Sequence, residues 1–294
     1  MASNCGISII FTVKNAGIDL YMTMESLKVT QSLLPYEVII VNEGSVDGCC
    51  DFLMYYNFPM KIKVLKGHSG LPSRNIAAAH ASGQVLVFCS ASLYFEDEWL
   101  ESLTGRVLNG ETDAQSPLIT IQAHAGISKE LPEDGGILES VSQYPLTIGG
   151  GDELCWLSPD CWAVSHKRFL ELGGVEEGFQ SKGLETAEFS MRLWLSGGSC
   201  RLQRELTLTA VYRHHFPCEI EAACWGEDLL MLSHLHFSNE NIERCKKLVL
   251  QLSGPDALVN ENEIARRTAS SRHKYASRRK REDSWFFKRF SVGV

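Results

Sequence analysis

Gly6-Ile7-Ser8-Ile9-Ile10-Phe11-Thr12-Val13 and Tyr36-Glu37-Val38-Ile39-Ile40-Val41 are short, largely apolar runs rich in β-branched residues. Runs of this kind are strands buried on both faces, and they decide the fold. Between them, Met22 to Leu34 carries apolar residues at helical spacing. Beyond them the pattern predicts a short helix at about 47–56, a strand at Lys61 to Leu65, an alanine-rich helix at about 72–82 and a strand at Gln84 to Cys89. Apolar strands separated by helices of this length predict an α/β protein whose mostly parallel sheet is flanked by helices. Such sheets bind ligands beyond the carboxyl ends of their strands, which directs attention to Thr12 to Asn15, Asn42 to Ser45 and Ser90 to Ser92.

Working outward, residues 110–150 are weakly patterned and read as irregular strands and loops. A strand at about 160–165, a helix at about 166–172 and a Gly173-Gly174 turn follow. Leu184 to Leu195 has Phe189, Leu193 and Trp194 at core spacing and is closed by Gly197-Gly198, which predicts a helix. Strand-like Leu206 to Tyr212 leads into Arg213-His214-His215-Phe216-Pro217, then helices at about 222–237 and 239–252. The expected organisation is a main domain over 1–220, a helical extension over 221–263 packed on it, and a basic aromatic tail over 264–294.

The chain has 294 residues, 44% hydrophobic and 22% charged, which is a globular profile. No apolar run reaches the roughly 18 residues of a membrane span, and Met1-Ala2-Ser3-Asn4-Cys5 lacks the features of a signal peptide. A cytoplasmic location is expected. The ten cysteines include no CxxC pair, so reduced, buried thiols are expected rather than structural zinc. Net charge is -8, but residues 264–294 hold ten Lys/Arg against two acidic residues, leaving 18 basic and 34 acidic residues in the other 263. An acidic body with a basic tail argues against a nucleic-acid-binding main domain.

Ile7 to Asn15, then Val38-Ile39-Ile40-Val41-Asn42-Glu43-Gly44-Ser45, then Ser73-Arg74-Asn75 with Ala81-Ser82-Gly83 before a strand, resemble the motifs of the family-two glycosyltransferases of the Rossmann-like GT-A fold. Cys161 to Gly198, CWAVSHKRFLELGGVEEGFQSKGLETAEFSMRLWLSGG, is similar to a stretch of the polypeptide N-acetylgalactosaminyltransferases. His214-His215-Phe216 and Trp225-Gly226-Glu227-Asp228 fall where that group has HVF and WMDE. The resemblance covers roughly residues 6–235. It implies transfer of a sugar from a nucleotide-sugar donor, of the UDP type, to a protein, peptide or glycan acceptor.

By the family pattern Thr12 and Asn15 would sit beside the base, and Glu43 beside base or ribose, where its carboxylate accepts hydrogen bonds. The plain alternative for Asn42 to Ser45 is a strand-to-helix turn. Arg74 would meet the diphosphate, which its planar fork matches; otherwise it is a surface arginine.

Two departures matter. Family members place Asp-x-Asp or Asp-x-His where this chain has Ser90-Ala91-Ser92, and neutral hydroxyls are poor ligands for a hard cation. No tightly held metal is expected from this motif. Neutralising the leaving diphosphate would then fall to Arg74, to Arg213 or His214, or to a metal carried in by the nucleotide. The second departure is Thr186, which stands where inverting members carry an aspartate base. Glu185 is the best remaining base or sugar ligand, unless it is a helix-start carboxylate favoured by the dipole. Ser90 and Ser92 stay among the donor-binding positions, and Glu185 and His214 are the catalytic candidates. Trp156 or Trp162 would stack on a sugar face, or belong to the core.

The tail, with Trp285-Phe286-Phe287-Lys288-Arg289-Phe290, either meets an anionic membrane surface through residues 265–290 or folds back on the acidic body. A second function class stays open beside the transferase: a catalytically silent relative that binds a nucleotide sugar, a glycan or a partner enzyme. Both lost motifs favour it.

Overall fold

The computed structural model describes residues 6–123, 147, 151–212 and 222–293. The chain divides into two compact units, one built from Met1–Ile127, Leu157–Glu177 and Cys200–His214, the other from Ser128–Trp156, Gly178–Ser199 and His215–Val294.

The first unit is an eight-stranded sheet. Its strands are β1 (Ile7–Val13), β2 (Tyr36–Asn42), β3 (Ile62–Lys66), β4 (Val85–Cys89), β5 (Leu93–Tyr94), β6 (Ala114–Ala123), β7 (Cys161–Ser165) and β8 (Cys200–Tyr212). They lie in the order β3-β2-β1-β4-β7-β6-β8-β5. The first four are parallel to one another. β4–β7, β7–β6 and β8–β5 are antiparallel, while β6 and β8 run parallel. β1 and β4 are buried throughout, as two-sided coverage of a parallel sheet requires. The covering helices are α1 (Asp19–Val29), α2 (Ser73–His80), α3 (Trp99–Leu108) and α4 (His166–Leu172).

Gly83 shows why the turn before β4 takes glycine: a Cβ there would lie 2.5 Å from the backbone of Ile7 and Ser8. At the same end of the sheet the buried Glu37 ties three strands together. Its carboxylate accepts hydrogen bonds from Ser8 Oγ and from Ser82 N–H and Oγ, and pairs with Lys63 at 2.7 Å.

Several elements differ from the sequence reading. The helix expected at 47–56 is only a 3-10 turn at Asp51–Met54, because Gly48 takes φ +72° and the Asp47 carboxylate binds the backbone N–H groups of Gly17 and Cys49. α1 begins at Asp19 and stops at Val29, where Thr30 turns extended. The stretch read as irregular contains the ten-residue β6, whose register shifts at Pro117, a residue with no N–H for the ladder. Leu206 to Tyr212 is the end of the longer β8.

The second unit contains α5 (Lys182–Leu195), α6 (Ala222–His236), α7 (Asn239–Ser253), α8 (Glu261–Ala276) and α9 (Asp283–Phe290). The tail is therefore two helices. Phe286 and Phe290 are buried, with Phe286 packed on Trp156, Phe287 and Phe290, and Arg289 pairs with Glu153. Phe286 and Phe290 thus pack inward, as the fold-back alternative requires, while Trp285 and Phe287 are half-buried. Among the described residues no helix is long and apolar enough to cross a membrane. The eight described cysteines are free thiols.

Candidate functional site

The donor-side candidates Thr12, Asn15, Glu43, Arg74, Ser90 and Ser92 all lie in the first unit, at or just past the carboxyl ends of β1, β2 and β4, or on α2. Thr12 is buried in β1. Asn15 takes a left-handed φ of +51°, which asparagine tolerates, and stitches two loops together. Its N–H donates to Ser45 Oγ at 3.0 Å and its Oδ1 accepts from Val46 N–H at 2.9 Å. Glu43 N–H donates to the Val13 carbonyl, and Asn42 Oδ1 accepts from Ser45 N–H. A turn satisfied by its own side chains holds Glu43 half-buried at the strand end.

Arg74 is not a surface arginine: it is 6% exposed. Its guanidinium lies over the rings of Phe88 at 5.8 Å and Trp162 at 5.7 Å, with Nη2 donating to the Pro159 carbonyl at 3.4 Å. Aromatic faces attract a cation and fix its plane. Trp162 is fully buried against Phe88 and Phe169, so the core reading holds for it. Trp156 is buried within the second unit.

Ser90 and Ser92 hydroxyls bond one another at 2.8 Å. Their loop is pinned by Thr23 Oγ1 donating to the Ala91 carbonyl, by Ser90 N–H donating to the Asp160 carbonyl and by Val211 N–H donating to the Ser92 carbonyl. Two residues to which the sequence reading gave no functional role stand here. Asp160 Oδ1 accepts from the Tyr212 hydroxyl at 2.7 Å, which brings a carboxylate and a phenol to the loop. An aspartate just before a strand is the only sequence signal for the first, and Tyr212 read simply as the last strand residue.

Glu185 belongs to the second unit and is half-buried in the first turn of α5. Ser181 caps this helix, its Oγ accepting from Leu184 N–H. The buried Asp228 accepts from the N–H groups of Gln180 and Ser181, which anchors the helix start. Burial pushes the Asp228 carboxyl up to about 6, against those two N–H donors and with help from Glu227 and Glu185. Thr186 donates its hydroxyl to the Lys182 carbonyl and is fully buried, a helical back-bond rather than a base. Glu188, one helical turn beyond Glu185, is an internal ion: it binds Arg192 at 2.8 Å and His236 at 2.7 Å. His214 and Arg213 lie outside the described residues.

The resemblance implies a divalent cation. Paired neutral hydroxyls at Ser90 and Ser92 do not fit a resident hard cation, which takes carboxylate oxygens. Among the described residues no group of three or more His, Cys, Asp or Glu side chains is placed to hold one.

The parallel half-sheet with polar side chains at its carboxyl edge, continued by a mixed half, defines a GT-A fold. Residues 8–135 match the family profile described as Glycosyl transferase family 2, and the chain is similar in sequence to polypeptide N-acetylgalactosaminyltransferases. It is 28% identical over 190 residues to polypeptide N-acetylgalactosaminyltransferase 11 of Xenopus tropicalis, covering 58% of this chain and 32% of that protein. It is 29% identical over 181 residues to the inactive polypeptide N-acetylgalactosaminyltransferase-like protein 5 of Mus musculus, covering 55% and 42%. The chain thus spans 32% and 42% of the length of these curated relatives. Among solved structures it is similar to GalNAc-T7 with UDP, GalNAc and Mn2+ (TM-score 0.70, 17% identity, 97% of this chain and 57% of that one). It is also similar to S. aureus TarS 1-349 in complex with UDP-GlcNAc (TM-score 0.56, 12% identity, 92% and 81%).

Proposed function

We propose that the chain transfers a sugar from a UDP-sugar donor to a protein, peptide or glycan acceptor, with no metal held by the Ser90-Ala91-Ser92 segment. The observation that carries this reading is the set of polar side chains gathered at one edge of the parallel half-sheet. Asn15 and Glu43 offer hydrogen-bonding groups suited to a base and ribose. Arg74 offers a pre-oriented guanidinium suited to a diphosphate. Asp160 and Tyr212 add an acceptor and a hydroxyl for donor hydroxyl groups. Glu185 is the candidate for the acceptor's proton, and His214 keeps its candidacy at the donor. Similarity to GalNAc-T7 with UDP and GalNAc, and to TarS in complex with UDP-GlcNAc, supports a uridine donor.

A specific pair of observations favours a second reading, a silent relative that binds the donor or a partner without turnover. The Ser90 and Ser92 hydroxyls share a hydrogen bond with one another, and Thr186 donates to its own helix backbone. One relative is itself described as inactive.

Incubation of the purified chain with a panel of nucleotide sugars, with EDTA or with manganese, separates the two. Free nucleotide release together with calorimetric binding supports transfer, and release unaffected by EDTA supports the hydroxyl reading of Ser90 and Ser92. Binding without release supports the silent relative. Absence of any nucleotide binding overturns both.

A further inference from the structure

Cys89 and Cys161 stand directly opposite one another at the end of the antiparallel β4–β7 ladder. That ladder is the seam of the sheet, joining β3-β2-β1-β4 to β7-β6-β8-β5. Within it His166 N–H donates to the Gln84 carbonyl and Ser90 N–H to the Asp160 carbonyl, so 84/166 and 90/160 are the hydrogen-bonded pairs. Cys89/Cys161 falls at the alternate, non-hydrogen-bonded position, where opposed α-carbons come to about 4.5 Å and side chains lie nearest. That separation lies within the span of about 4.4–6.8 Å that a disulfide bridges. The two Sγ atoms are already 3.9 Å apart.

We propose that Cys89 and Cys161 form a reversible cross-strand disulfide that fastens this seam beside Ser90 and Asp160, with a small disulfide such as oxidised glutathione as oxidant. Cys89, 7% exposed at the strand end, is the point of entry, since Cys161 is fully buried. The Cys89 thiolate attacks the small disulfide, whose S–S bond breaks as a mixed disulfide forms and one small thiolate leaves. The Cys161 thiolate then attacks Cys89 Sγ, the mixed disulfide breaks and the second small thiolate leaves. The protons of the two cysteines end on the two small thiols, so the protein loses two electrons and two protons and one small disulfide is reduced. Burial holds the Cys161 thiol well above the usual range, with Cys89 and Asp160 adding to it, so ring closure quickens as the solution is made alkaline. In the reduced chain the ladder ends on the Ser90 N–H bond to Asp160 at 2.7 Å, and the disulfide would add a covalent link at the same place.

The test is equilibration of the full chain in glutathione buffers from reducing to oxidising, at neutral and alkaline pH, followed by acid quench, alkylation and peptide mapping by mass spectrometry. The expected result is a Cys89–Cys161 linked peptide that appears on oxidation, forms faster at alkaline pH and disappears on reduction, together with a higher thermal midpoint of the oxidised chain. The link should be lost in Cys161→Ser and kept in Cys49→Ser, which removes the adjacent Cys49-Cys50 pair. Cys161→Ala serves if the serine variant does not fold. Alkylation of both thiols under every condition, or Cys89 left as a mixed disulfide with glutathione, overturns the proposal. The readout needs no donor and stands apart from the fate of the transferase reading.

Discussion

Asn75 grips Val175 across a hundred positions of chain: its Oδ1 accepts the Val175 N–H and its Nδ2 donates to the Val175 carbonyl, both at 2.9 Å. The same side chain decides the residue before it. Gly174 has φ +77°, and a Cβ there would lie 2.2 Å from Asn75 Oδ1. Asn75→Ala should destabilise the chain by about 1–3 kcal/mol, since two partly buried backbone groups lose their partners. Gly174→Ala should cost more, because a left-handed backbone adds about 1–2 kcal/mol to the displacement of Asn75. Urea unfolding curves of the two variants check both; a smaller loss for Gly174→Ala would break the link.

Glu37 should make the first unit acid-sensitive. Burial raises its pKa, but the Lys63 ammonium and hydrogen bonds from Ser82 and Ser8 outweigh burial and hold it at about 2. A carboxyl depressed in the folded state contributes stability present above its ordinary pKa of 4.5 and lost as pH falls through about 2. Glu37→Gln should remove about 2–3 kcal/mol at neutral pH and flatten the stability profile between about pH 5 and about pH 2. Denaturation midpoints across that range give the answer, and an unchanged acid slope contradicts it.

The Glu188, Arg192 and His236 cluster should behave oppositely to a surface ion pair. Arg192 also donates to the Tyr275 hydroxyl at 2.9 Å, and its guanidinium lies 4.4 Å from the Tyr275 ring. Glu188→Ala should cost about 3–5 kcal/mol by leaving Arg192 buried without its carboxylate. Added salt should not shrink that loss much, because the pair is screened little.

His236 in the same cluster predicts a separate pH effect. Burial pushes its pKa down, against the pull of Glu188 and with Arg279 and Arg192 opposing protonation. The unfolded chain therefore binds the proton more readily, and stability present above the ordinary value of 6.5 falls as pH drops below it. Urea midpoints from about pH 8 to about pH 5 should decline in wild type and decline less in His236→Gln.

Arg74→Ala should weaken UDP binding roughly ten- to hundredfold, the worth of a charge-assisted bond of about 1.5–3 kcal/mol. Arg74→Lys should not restore it, since an ammonium has no fork to lie flat over Phe88 and Trp162. Calorimetry with UDP reads the affinity and circular dichroism confirms the fold; unchanged affinity in Arg74→Ala would remove this residue from the diphosphate site.

How much of this was legible varied with how local the cause was. β1, β2 and β4 were readable because apolar residues at successive positions make sense only where both faces lose water. α5 was readable from its 3.6-residue period and its glycine stop. α3 escaped notice because it has no side-chain cap and begins after Glu98 at φ +60°, a signal that resembles a turn. The tail stayed open between a membrane surface and a fold-back because its basic and aromatic residues suit either; in the structure Phe286 and Phe290 are buried, and Arg272 and Arg279 turn inward to the carbonyls of His234, Phe237 and His236.

The buried-strand pattern determined the parallel half-sheet and put Asn15 and Glu43 at its carboxyl edge, while the place of Arg74 and the loss of acidic ligands at Ser90 and Ser92 were read from the family resemblance. Only the tertiary structure decided what those side chains do with one another. Asp160 meets Tyr212 across 52 positions and Arg74 meets Pro159 across 85, and no local rule of spacing reaches that far. Strand identity follows from neighbours in the chain, whereas a partner across the sheet is chosen by strand order and register, which the whole molecule sets at once.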